Sequence, residues 1–137
     1  MSNRWILPLV CFALVSAVSS QEDTAAQKRF AGTWQAKFND KVFLTVRLEP
    51  GARMSGIVST GRITVDDDGE LTEAEASPEG KESDVMHARI DGERLTFETD
   101  DDGELMKFEM RITSDGKAEL RFVGQSMKIN PIRLNRV

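Results

Sequence analysis

Cysteine, histidine and tyrosine are almost missing from this chain: its 137 residues hold one Cys, one His and no Tyr. Cys11 lies in an apolar N-terminal run that is expected to be removed, so the mature chain has no thiol and forms no internal disulfide. With His87 alone, neither a zinc site of the usual Cys/His type nor a nucleophile–His–carboxylate triad can be assembled. A basic surplus is also lacking, because the formal net charge is −5. Removing residues 1–20 takes away Arg4 and no acid, which leaves 17 basic against 23 acidic residues, a balance of −6. Without a basic patch to neutralise phosphates, nucleic acid is not an expected partner. Beyond the N-terminus no apolar run approaches the roughly 20 residues of a membrane helix, so no span is expected after cleavage.

What is present begins with that N-terminal run. Arg4 precedes residues 5–18, which are apolar almost throughout, and small residues follow at Ala17, Ser19 and Ser20 before the chain turns polar at Gln21, Glu22 and Asp23. This is the layout of a secretory signal peptide, with cleavage expected near Ser19 or Ser20. The protein is therefore expected to be exported, to the periplasm or beyond the cell. An uncleaved anchor, or a lipid on Cys11, is the alternative. Residues 21–29 are polar and read as a flexible segment: a frayed tail or one helical turn before Phe30. Residues 30–137 form one domain, which must rest on a hydrophobic core alone.

That domain reads as all-β. Asp-Gly pairs stand at Asp68-Gly69, Asp91-Gly92, Asp102-Gly103 and Asp115-Gly116, and Asn39-Asp40 and Pro50-Gly51 punctuate the earlier part. Such pairs mark tight hairpin turns, which need residues tolerant of positive φ. Between them apolar residues alternate with polar ones. Trp34, Ala36 and Phe38 share a face, as do Leu44, Val46 and Leu48, then Met86, Ala88 and Ile90, then Leu95 and Phe97, then Met106, Phe108, Met110 and Ile112, and finally Ala118, Leu120 and Phe122. Strands are expected over 33–39, 42–49, 53–60, 84–90, 94–99, 105–112, 117–123 and 127–135, with a short one over 62–65. About eight one-faced antiparallel strands with short connections suit a small up-and-down barrel, which leaves no exposed edge. The acidic stretch 66–83 is expected to be a long mobile loop.

The opening Phe30-Ala31-Gly32-Thr33-Trp34 resembles the Gly-x-Trp start of lipocalins and the wider calycin superfamily, and Gly51 with Ser55-Gly56 is similar to strands of small avidin-like barrels. The resemblance implies a barrel over residues 30–135, closed at one end by Trp34. It also implies a basic residue of the last strand packed over that ring, with Arg133 the first candidate and Arg136 the second. The inward faces are apolar and Tyr is absent, which does not suit an avidin-type biotin site.

Few residues suggest chemistry. Alternation puts His87 on the solvent face. The run Asp-Asp-Asp-Gly-Glu-Leu occurs at 66–71 and again at 100–105, but calcium loops place ligands at alternate positions, so each copy reads as a solvated turn. No cofactor and no metal is expected, and the chain does not read as an enzyme. The inward Phe38, Met86, Phe97, Met106, Phe108, Met110 and Phe122, with Met54 and Met127 as further candidates, either fill a core or line a cavity for an apolar molecule. The leading expectation is a lipocalin-like carrier of a hydrophobic small molecule, or a binder of a partner protein. The alternative is a solid interaction module, such as a periplasmic protease inhibitor. By family resemblance its contact would be residues 21–30, and the 66–83 loop could serve instead.

Overall fold

A computed structural model describes residues 24–137, so the signal-peptide reading of residues 1–20 lies outside the described residues. The first described element is a helix, α1 (Thr24–Phe30), in keeping with the helical alternative for this segment. Its buried residues are Gln27 and Phe30, three apart and so on one face. The Gln27 side-chain amide clasps the Gly51 backbone in both directions: Nε2–H donates to Gly51 O at 3.0 Å, and Gly51 N–H donates to Oε1 at 3.0 Å. Two hydrogen bonds and a buried ring are what hold this short helix, since seven residues have little helical stability of their own. No helix among the described residues is long and apolar enough to cross a membrane.

Eleven strands follow. They are β1 (Gly32–Phe38), β2 (Lys41–Glu49), β3 (Ser55–Thr60), β4 (Ile63–Val65), β5 (Leu71–Ala74), β6 (Ser83–Asp84), β7 (Met86–Asp91), β8 (Arg94–Asp101), β9 (Glu104–Ser114), β10 (Lys117–Val123) and β11 (Ile132–Arg136). Nine of them make one sheet in the order β6-β3-β2-β1-β11-β10-β9-β8-β7, and every pairing is antiparallel. The two edge strands, β6 and β7, are separated only by Val85, whose N–H donates to Gly56 O at 2.9 Å. One stretch of chain thus pairs first with β3 and then with β8, and the sheet rolls into a nearly closed barrel. Counted as one stave, β6 and β7 complete the eight expected from the sequence. The β4–β5 hairpin stands apart as a second, two-stranded sheet.

Up-and-down order sorts the connections to two ends. The lower end carries α1, the β2–β3 turn and the Asp91-Gly92 and Asp115-Gly116 turns. The upper end carries the Asn39-Asp40 and Asp102-Gly103 turns, the β3–β6 connection with its hairpin, and the β10–β11 connection. Asn39 and Asp40 both have positive φ (50° and 61°), as do Asp102 and Gly103 (51° and 89°), the backbone of two-residue turns that match strand twist.

Inside, the alternating residues meet as expected. Trp34, Leu44, Val46, Leu48, Leu95, Phe97, Phe108, Met110, Leu120 and Leu134 are buried in one cluster. Phe97 stacks on Phe108 with centroids 5.2 Å apart, and Phe108 meets Phe122 at 5.1 Å. At the lower end the Trp34 indole N–H donates to Phe30 O at 2.9 Å, so α1 plugs the barrel mouth through the ring. The cation over that ring is Arg136, its guanidinium 4.4 Å from the centroid and also donating to Arg29 O. Arg133 does not take this place. It is exposed, opposite Glu119 on the outer face.

Two bulges correct the simple alternation. On β2, Ala36 faces Leu44 and Lys37 faces Val42, so Phe43 is the extra residue; it is buried rather than outward. On β7 the register shifts between Met86 and Arg89, with His87 at φ 53°. Met86 then lies opposite Glu98, in an outer row that continues to Lys107, instead of inward with Ala88 and Ile90. The last strand is shorter than expected. β11 begins only after Pro131, and Met127, in the connection before it, is exposed. Residues 66–83 are not one long loop: they hold the hairpin's turn, β5 and the first residue of β6.

Candidate functional site

The barrel wall parts where β1 meets β11. β1 pairs with β2 over its whole length, but with β11 only at Gln35–Asn135 and Trp34–Arg136. β11 likewise covers β10 only from Lys117 to Leu120. Above Gln35, Ala36–Phe38 no longer pair with β11, and above Leu120, Arg121–Val123 have no β11 partner. Two local causes coincide there. The Phe43 bulge falls between Ala36 and Lys37, and bulges add twist that turns a strand out of its ladder. Pro131, which has no N–H to give, ends the upward reach of β11.

A groove of about 570 Å³ opens at this parting. Ala36 of β1, the bulged Phe43 of β2 and Ile132 of β11 line it, and all are buried, so its floor belongs to the barrel core. Ile129 and Pro131 form one wall; Val65 and Leu71, from the hairpin, form another. The polar residues Lys37, Glu70, Glu119, Asn130 and Arg133 also border it.

The hairpin is fastened across this groove. Asn130 N–H donates to Gly69 O at 3.0 Å and Asn130 Nδ2–H to Glu70 Oε1 at 2.8 Å. Gly69 is required here: φ is 85°, and a Cβ would lie 2.9 Å from Asn130 Oδ1. The turn itself is held by Asp66, whose Oδ1 accepts the N–H groups of Asp68 and Glu70, both at 2.9 Å. In the second copy of the repeat, Asp100 Oδ1 accepts Gly103 N–H at 2.7 Å. Each repeat therefore uses its first carboxylate to cap its own turn. Among the described residues no group of three or more His, Cys, Asp or Glu is placed to hold a metal ion.

Of the residues named from sequence as a possible lining, Phe97, Phe108 and Met110 are fully buried and packed together, while Phe38, Met106 and Phe122 are half-buried against the same cluster. None of them borders the groove; of the residues named as ligand-lining or barrel-closing, only Arg133 does. Met54 is buried beneath the lower end. Alternation missed Phe43, yet Val42-Phe43-Leu44 breaks the period with three successive apolar residues, which is a legible bulge signal. His87 is exposed, as expected, with Nδ1 3.1 Å from Glu98 Oε2; Lys107 reaches the same carboxylate at 4.0 Å.

Known protein families, curated proteins and solved structures give no match to this chain. The architecture is compatible with a calycin-like barrel, and the site must be judged on its own geometry. That geometry offers an apolar floor, charged rims and a tethered cover.

Proposed function

We propose that this is a non-enzymatic binding protein that takes up a small apolar molecule in the groove between β1 and β11. The observation that carries the reading is the groove's combination of size and floor: about 570 Å³, reaching the buried side chains of Ala36, Phe43 and Ile132. Ligand pockets are commonly about 300–1,000 Å³, mostly apolar, with a few polar groups at set positions. Covering about 200 Å² of apolar ligand surface yields about 5 kcal/mol before the costs of association, which by itself supports no better than sub-millimolar binding, so polar contacts must supply the rest. Residues 1–20 support action outside the cytoplasm.

A second reading, a protein partner, is favoured by one observation. Leu105, Val123 and Met127 are exposed (56%, 42% and 59%) and all belong to the upper end. Titration with the neutral dye Nile red tests the groove reading. A saturable, one-to-one fluorescence rise is expected, weakened at least about tenfold by Leu71→Glu, which charges the groove wall at a half-exposed position. Dye binding that is undiminished in this variant, with an unchanged circular dichroism spectrum, would sink the groove as the site.

A further inference from the structure

Continuing the β1–β11 register upward shows what faces what across the opening. Gln35 pairs with Asn135. In antiparallel register the next residues on that same outer face are Lys37 and Arg133, so two cations stand opposite each other where the ladder has parted. Like charges directly opposite destabilise a strand pair. Their repulsion thus adds to the bulge and the proline in keeping this seam open. Both side chains border the groove, and neither makes an ion pair or hydrogen bond among the described residues.

Two carboxylates also border the groove, and neither forms an ion pair with Lys37 or Arg133. Glu70 accepts the Asn130 amide at 2.8 Å and is held on the hairpin side. Glu119 lies one strand further away, opposite Arg133 on β10, and no ion pair closes between them within 4.0 Å. On its other side Lys37 faces Val42, an apolar neighbour.

Resting on the groove reading above, we propose that the ligand is an amphipathic anion. Its apolar body lies on Ala36, Phe43 and Ile132, and its carboxylate- or phosphate-type head sits between Lys37 and Arg133. An anionic head there bridges the two strands that the protein leaves unpaired. It relieves their mutual repulsion while the chain beneath it leaves water. The arginine offers a planar pair of donors and the lysine a point charge, so either head geometry is accepted.

Displacement of Nile red by a matched decyl series tests this: decanoate, decyl phosphate, decanol and decyltrimethylammonium. Decanoate and decyl phosphate are expected to bind about tenfold or more tighter than decanol, with the trimethylammonium weakest. The advantage should shrink as salt rises. Lys37→Gln and Arg133→Gln should each remove part of it, and the double variant all of it, read as the ratio of anion to decanol affinity within each variant. Decanol displacement also reports that these exposed substitutions leave the groove intact. Equal affinity for the anion and the alcohol overturns the head assignment while the groove reading stands. Preference for the cation overturns it in favour of Glu70 and Glu119. Failure of Nile red and of every decyl compound to bind removes both readings together.

Discussion

The attachment of α1 to the barrel can be tested at a single side chain. Gln27 is 1% exposed and uses both ends of its amide on Gly51. Gln27→Ala deletes two hydrogen bonds worth about 0.5–1.5 kcal/mol each. Gly51 is itself exposed, so its freed N–H and C=O regain water, and the expected loss is about 1–3 kcal/mol. Gln27→Glu keeps the shape and the bond from Gly51 N–H, but sets a carboxylate oxygen against Gly51 O. Burial and that carbonyl both disfavour the ionised form, so the introduced carboxyl's folded-state pKa is raised above its unfolded value of about 4.3. A raised folded pKa means the folded state holds the proton more tightly. The stability this contributes is complete below the unfolded pKa and is lost as pH rises through the folded pKa. The Glu variant should therefore fall about 2–4 kcal/mol below the native chain at pH 7.5 and recover part of that at pH 4.5, where the protonated acid again donates to Gly51 O. Urea unfolding followed by far-ultraviolet circular dichroism at both pH values measures this. A Glu variant whose deficit is the same at both, or an Ala variant as stable as the native chain, would refute the clasp.

The cation over Trp34 separates two arginines that sequence alone confuses. Arg136→Ala should cost about 1–2 kcal/mol through the lost cation–π contact and hydrogen bond, and Arg133→Ala no more than about 0.5 kcal/mol, read from urea midpoints. Gly56→Ala should be among the most damaging single changes. φ is 153° and a Cβ would lie 1.8 Å from Arg47 O, so β2 and β3 must separate locally; a midpoint loss equivalent to about 3 kcal/mol or more, or failure to accumulate folded protein, is expected.

How far the sequence carries depends on whether the two-residue period runs unbroken. Apart from a register shift at Lys117–Ala118, β8, β9 and β10 follow it, so Leu95, Phe97, Phe108, Met110 and Leu120 could be placed inside from spacing alone. At Phe43 and Met86 an extra residue resets the parity, and a reading that counts by twos places these side chains on the wrong face. The arginine question was legible too. Ile132 and Leu134 are buried, which puts Arg136 on their face and Arg133 on the other. Half of the hairpin was legible, since the short strand expected over 62–65 is β4; β5 was hidden because Leu71 and Ala74 are a thin apolar signal inside an acidic stretch. The groove had no local signal at all. It arises because two strands remote in sequence stop pairing after two residue pairs, which depends on where β11 starts and how β1 bends.

That same seam sets the order in which the molecule can assemble. Trp34 and Arg136 stand about 100 positions apart along the chain, and such non-local pairings form late and slowly. β1 can zip to β2 as soon as the two are free to meet, but its other flank must wait for β11, about 100 positions further along. Until then a row of backbone donors and acceptors is open to any passing strand, which is a hazard during synthesis. The finished molecule guards that flank with only two residue pairs and a docked hairpin. Its quality control therefore rests on the C-terminal strand arriving intact.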